Sequence, residues 1–197
     1  MVIYFTFREI KNEDKIGIGE TYCEVFKSSP WFEYDWTLTA AISELESSQT
    51  QEGFLGVLAE TKEKIIGFSW GYKLPAEMTD GKNFLEMRRL LIDSGINPDR
   101  TFYGSETGVL EELQGKGIGS GLLELRTRLM DKKYEAILFR TKNDIMVQVY
   151  ENVFGTGSVK ILAKDPTYQD RNLYLLRVGK LSNSLIQNLF KRNWQGI

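Results

Sequence analysis

The sequence predicts a single mixed α/β domain. Three observations point there. Its 197 residues fit one domain of ordinary size. Apolar residues at 42% and charged residues at 26% are those of a globular chain that can bury a core. Along the chain, segments rich in β-branched and aromatic residues alternate with segments whose apolar residues recur at helical spacing.

In order, residues 3–8 read as a strand. From Glu13 to Lys27, the apolar residues Ile18, Tyr22, Val25 and Phe26 recur at helical spacing, and Ser28-Ser29-Pro30 stops that helix. Asp35 or Thr37 can cap a second helix, whose face is Leu38, Ala41, Ile42 and Leu45. Residues 54–60 and 64–74 are two strands joined by the polar link Thr61-Lys62-Glu63, and Pro75 ends the second. Residues 84–92 can form a helix closed by Gly95. Residues 102–110 form a strand that runs into a glycine-rich turn, followed by a helix with Ile118, Leu122, Leu125 and Leu129 along one face. Residues 136–140 are a short buried strand, and Met146, Val149, Tyr150 and Val153 mark a further helix. Residues 158–163 and 173–178 close the domain as antiparallel strands. The single domain therefore spans 1–180, with 75–100 inserted between the third and fourth strands and 181–197 left as a tail that could be helical.

Composition excludes several classes of function. Twenty-five Lys and Arg against 27 Asp and Glu give a net charge of −2, which argues against nucleic-acid binding through bulk charge. The lone Cys23 allows no internal disulfide and suits a reducing compartment. The opening residues carry no basic leader, and no uncharged apolar stretch approaches the roughly 18 residues of a membrane span, so a cytoplasmic protein is expected. The chain has no histidine. That removes Ser-His-Asp and Cys-His catalysis, His-ligated zinc and histidine bases, and no metal site is expected. A proton acceptor must be a carboxylate, Tyr, Lys, Cys23 or water.

The sharpest local signal is Gln114-Gly115-Lys116-Gly117-Ile118-Gly119-Ser120-Gly121. Glycines between a strand and a helix let backbone N–H groups converge on an anion at the positive end of the helix dipole. A P-loop would need Ser or Thr after Gly-Lys, where Gly117 stands, and a dinucleotide turn would need glycine at Ser120 or Leu122. What fits is Gln/Arg-x-x-Gly-x-Gly/Ala, met by Gln114, Gly117 and Gly119, with Val109 five residues before the Gln. Downstream, Asn143 opens a helix and Tyr150 stands seven residues later.

On these residues the chain resembles the GCN5-related N-acetyltransferases (GNAT). The resemblance spans about residues 3–180 in element order and is residue-specific mainly over 106–155. It departs in having Glu111 where many members have proline, and Phe154-Gly155 where many have Gly-Phe. It implies a central, mostly antiparallel sheet of about seven strands with helices on both faces, and acetyl coenzyme A (acetyl-CoA) as acetyl donor. It also implies a primary amine as acceptor, on a small molecule or a peptide, whose nitrogen attacks the thioester directly in a ternary complex. By the same resemblance the main chain at Val109, Leu110 and Glu111 holds the pantetheine and polarises the thioester carbonyl. Gln114, Gly115, Lys116, Gly117, Ile118, Gly119 and Ser120 hold the pyrophosphate, and Asn143 contacts the cofactor unless it serves only as a helix cap. Tyr150 protonates the departing thiolate or is an ordinary buried tyrosine.

Glu106, a carboxylate in a weakly polar strand, is the candidate base; a solvent-facing or ion-paired role, or a base-free reaction, is the alternative. Trp31, Glu33, Trp70 and Tyr72 either border the amine, through cation–π attraction and charge pairing, or pack the core. Residues 75–100 are long for a strand connection and read as a lid, a homodimer contact or simple packing. A coenzyme A-binding module without turnover is the rival function, and a nucleotide-binding module is disfavoured by the motif spacing.

Overall fold

A computed structural model describes residues 4–29, 31–78 and 81–178; the expected tail 181–197 and Ile3 of the first expected strand lie outside them. Seven strands, β1 (Thr6–Glu9), β2 (Leu55–Glu60), β3 (Ile65–Lys73), β4 (Thr101–Val109), β5 (Ala136–Thr141), β6 (Val159–Lys164) and β7 (Asn172–Arg177), form one sheet in the order β1-β2-β3-β4-β5-β7-β6. Among the described strands only β4 and β5 run parallel. The expected mixed α/β fold, with a mostly antiparallel seven-stranded sheet, is the one found.

Five helices cover the sheet: α1 (Lys15–Lys27), α2 (Leu38–Gln49), α3 (Phe84–Asp93), α4 (Ile118–Leu129) and α5 (Asp144–Phe154). Thr37, rather than Asp35, caps α2 by accepting the Ala40 N–H at 3.2 Å. Alternate residues of a strand face opposite ways. On one face Tyr22 of α1 stacks on Phe68 and Trp70 of β3, and Phe84 of α3 meets Tyr103 of β4 edge-on. On the other face Leu123 of α4 and Tyr150, Val153 and Phe154 of α5 bury against Phe102 and Phe139. The segment between β3 and β4 therefore contributes to the core: Phe84, Met87 and Leu91 are fully buried with Tyr72, Leu138 and Leu173. Of the three readings of residues 75–100, packing describes α3.

The buried stripe of α4 is rotated from the expected one. Leu129 is 42% exposed, and the buried positions are Ile118, Gly121, Leu122, Leu123, Glu124 and Arg126. Two charged residues, Glu124 and Arg126, thus take buried positions.

Two irregularities in β4 break the regular pairing at the middle of the sheet. Trp70 pairs with Glu106 but Gly71 pairs with Gly104, so Ser105 has no partner on β3 and forms a β-bulge. On the other side, the pairing of β4 with β5 stops at Gly104 opposite Phe139. Beyond that point the two parallel strands splay apart.

Candidate active site

The splay opens a groove with two compartments. The first, about 630 Å³, is lined by Thr107, Gly108, Val109, Gln114, Gly115, Ile118 and Gly119 of the β4–α4 corner and by Asn143, Met146 and Val149 at the start of α5. The second, about 470 Å³, is lined by Gly104, Ser105, Glu106, Phe139, Arg140, Tyr150 and Arg171. Trp31, Thr107 and Met146 border both.

The first compartment is built of backbone. Gly117, at φ +81°, precedes α4 without a capping side chain, so the first amides of the helix are free to meet an anion. Gly115, at φ +73°, would meet nothing within 4 Å if it carried a Cβ, so the approach to these amides is open. In β4, the Leu110 N–H donates to Ile66 O on β3. By strand alternation the Val109 and Thr107 amides point the other way, into the splay. The Val109 carbonyl accepts from Gln114 Nε2 at 3.2 Å, which ties the turn to the strand end. Asn143 caps α5 by accepting the Ile145 N–H at 2.9 Å and also lines the groove. Of the other expected donor-site residues, Leu110 is buried in the core, and Glu111 and Lys116 are exposed beside the turn. Gly117 and Ser120 belong to the start of α4. A phosphate-bearing ligand with an extended arm suits this donor set: helix-start amides at one end and strand amides along the splay.

The second compartment brings Glu106 and Tyr150 together from opposite faces of the sheet. Glu106, at the bulge, sits on the α1–α2 face beside Trp70. Burial, followed by the Glu44 carboxylate of α2, pushes its carboxyl up to about 7 against the pull of Lys82, Arg140 and Arg171. Those three cations have carboxylate partners of their own: Lys82 Nζ–Glu44 at 3.2 Å, Arg140–Asp165 at 3.7 Å and Arg171–Glu33 at 3.2 Å. Tyr150 stacks on Phe139 with ring centroids 3.9 Å apart, and its oxygen accepts from Arg126 Nη2 at 2.8 Å.

The expected acceptor residues divide. Trp31 lines the groove, but cations of the chain already sit over its ring, Lys142 Nζ at 5.7 Å and Arg171 at 5.5 Å. Glu33 is engaged by Trp36 Nε1 as well as by Arg171. Trp70 does not line the groove: it is fully buried among Phe68 and Tyr22, with its Nε1 donating to Ser48 Oγ, which is the core-packing alternative. Tyr72 is likewise buried, beside Tyr103. Sequence reasoning missed Arg126, Arg140, Arg171, Lys82 and Glu44. Only Arg126 left a readable signal, as a charged residue four positions after Leu122 on the same side of its helix.

Strand order, splay and amide-lined helix start define an acyl-CoA-dependent acyltransferase fold. The family model of the acetyltransferase (GNAT) family matches residues 19–156, more than half the chain. The chain belongs to that family and is an acetyl-CoA-dependent N-acetyltransferase. Among solved structures, the fold is similar to an acetyltransferase from Thermus thermophilus (11% identity, TM-score 0.63, covering 90% of this chain and 100% of that one). It is also similar to the PaiA N-acetyltransferase from Thermoplasma acidophilum in complex with coenzyme A (16%, 0.57, 88% and 98%). A third is YncA, a putative acetyltransferase from Salmonella typhimurium with its cofactor acetyl-CoA (16%, 0.58, 90% and 96%). No curated protein sequence matches. Among the described residues no helix is long and apolar enough to cross a membrane.

Proposed function

We propose that the protein transfers the acetyl group of acetyl-CoA to a primary amine by direct attack in a ternary complex, with Glu106 as base and Tyr150 as acid. The observation that carries this reading is the placing of both groups in one compartment at the splay, next to a groove lined by free amides. Acetyl-CoA supplies the activated acyl group as a thioester. The amides of Ile118, Gly119 and Ser120, with Gly115 and Gly117 opening the approach, would hold its pyrophosphate, with Lys116 alongside. The Val109 amide would donate to the carbonyl as negative charge grows on its oxygen.

A carboxyl near 7 is half ionised at neutral pH, the condition in which a base is both present and strong enough to take a proton from an ammonium. Glu106 takes that proton, and Tyr150 gives its own to the departing sulfur. The acceptor is a small-molecule or peptide amine that enters between Trp31 and the Glu106 bulge. Because the cations of this compartment are matched by Glu33, Glu44 and Asp165, Glu106 is the carboxylate left to draw an amine in.

The test is release of free thiol from acetyl-CoA across a panel of amines, for the wild type and for Tyr150→Phe. The wild type should turn over at least one amine, and Tyr150→Phe should lower kcat by roughly 10²–10⁴-fold with donor affinity little changed. Coenzyme A binding without thiol release for any amine would overturn the reading in favour of a binding module.

A further inference from the structure

We propose that Arg126 is a positioning residue for the acid step: it turns the Tyr150 hydroxyl proton toward the groove and stabilises the charge left on the phenol oxygen when that proton leaves. This rests on Tyr150 being the acid.

Arg126 is fully buried in α4, in the face of the helix that meets the sheet. Its guanidinium donates to Tyr150 Oη at 2.8 Å, to Ser69 Oγ at 2.7 Å and to the Trp70 carbonyl at 3.2 Å, all of them neutral oxygens, and lies 5.5 Å from the Phe102 ring centroid. Guanidinium has no acceptor atom, so the direction of the bond to Tyr150 is fixed: Arg126 gives and the phenol oxygen receives. The phenol's own proton must therefore point away from Arg126. One direction is kept clear by a missing side chain. A Cβ on Gly104 would stand 2.9 Å from Tyr150 Oη and 3.2 Å from Arg126 Nη2. Gly104 is the last residue of β4 paired with β5 and lines the compartment that holds Glu106. The open side of the phenol is thus the side of the splay.

The same guanidinium reaches the bulge through hydroxyls whose polarity can also be assigned. Thr107 Oγ1 donates to the Glu106 carbonyl at 2.8 Å, and Ser69 Oγ receives from Arg126. In the 2.7 Å bond between Ser69 and Thr107, Ser69 is then the donor. The chain Arg126 to Ser69 to Thr107 to the Glu106 carbonyl runs in one direction. That chain ends on the main chain of Glu106 and not on its carboxyl, so the direct contact of Arg126 with the proposed chemistry is the one to Tyr150 Oη.

In the step itself, the O–H bond of Tyr150 breaks and an S–H bond forms on the coenzyme A sulfur. The electron pair of the O–H bond stays on the phenolate oxygen, 2.8 Å from Arg126 Nη2. A buried cation among neutral oxygens is costly, and an anion formed at that distance lowers the cost, so the guanidinium favours the state after proton transfer over the state before it. Water returns the proton to Tyr150 before the next turnover.

A double-mutant cycle tests this. Arg126→Met should lower kcat roughly 10- to 100-fold, the range for losing a hydrogen bond to a charged group, with KM for acetyl-CoA and amine little changed. In the Tyr150→Phe background the same substitution should change kcat less than about twofold, because nothing remains for Arg126 to orient. Arg126→Lys, which keeps the charge, should recover part of the loss. Without any turnover, the ¹³Cζ resonance of Tyr150, assigned as the signal absent from Tyr150→Phe, should shift in Arg126→Met. If Arg126→Met does not fold, Arg126→Lys and Arg126→Gln complete the same cycle. An equal fall of kcat in both backgrounds, or an unmoved Tyr150 resonance, overturns the proposal. Unchanged kcat in Tyr150→Phe alone would instead overturn the acid assignment, and the positioning role with it.

Discussion

Replacing Glu106 by Gln removes one ionisation and little volume, and the structure sets the size of the effect. With its carboxyl at about 7, Glu106 is charged in roughly a tenth of molecules at pH 6, half at pH 7 and nine-tenths at pH 8. An acceptor with a lysine-like pKa of about 10.4 is neutral in only about one molecule in 2,500 at pH 7. A base that deprotonates the bound ammonium can therefore gain at most on the order of 10³ there, and about tenfold less for each pH unit above. Wild-type kcat/KM should climb with unit slope to near pH 7 and level off. Glu106→Gln should start far lower and keep climbing toward the acceptor's own ionisation.

A second readout has the opposite sign. The folded state holds the Glu106 proton more tightly than the unfolded chain between pH 4.5 and 7, so this group lowers stability as pH rises through that window. At about 1.4 kcal/mol per pH unit the interval amounts to up to about 3 kcal/mol. Glu106→Gln should therefore melt higher than the wild type above pH 7 and equally below pH 4.5. Thiol-release kinetics from pH 5.5 to 9.5, with melts at three pH values, check both. A loss of rate that is the same at every pH, or an acid limb that survives the substitution unmoved, would refute base catalysis by Glu106.

A side chain on the turn should close the donor compartment: a Cβ at Gly119 already stands 3.5 Å from Val149 Cγ1, and Gly117 is held at φ +81°. Gly119→Val and Gly117→Val should abolish the stabilisation by acetyl-CoA, about 2.7 kcal/mol at a hundredfold excess over Kd, in thermal-shift assays; normal stabilisation in both would remove this turn from the donor site. Gly104→Ala should push Tyr150 Oη off its place and lower kcat roughly 100-fold while acetyl-CoA still stabilises the protein, read by kinetics and melts side by side. Leu91→Ala in α3 should cost about 2–5 kcal/mol in urea unfolding if α3 is core, and a loss under about 0.5 kcal/mol would make it peripheral.

The elements with a clear period were legible, as was the strand-turn-helix around Gly117, because both depend on local backbone chemistry. The rotation of α4 was not. Leu125 and Leu129 completed an apolar stripe on paper, whereas the Ser69 hydroxyl and Trp70 carbonyl of β3 and the phenol of α5 draw Arg126 inward. Trp70 was ambiguous for a related reason: alternation tells which residues share a face, but the packing of α1 and α2 decides that this part of the face is covered. The second compartment was hardest to read. Its charges come from α2, Lys82 just ahead of α3, β5 and the β6–β7 link, gathered by a strand order in which β7 lies between β5 and β6. The Ser105 bulge left no mark in composition at all.

The parting of β4 from β5 amounts to an edge in the middle of a sheet. An outer edge presents unpaired amides to any passing strand, a standing risk of aggregation. This one is flanked by β5 and roofed by α4 and α5, so only a thin extended chain can enter it. Donor recognition through main-chain groups, as proposed, would ask little of side chains, which accords with folds that superpose at 11–16% identity. On the proposed function, side chains around the second compartment would be correspondingly free to change with the amine, and a new acceptor would not require rebuilding the donor site.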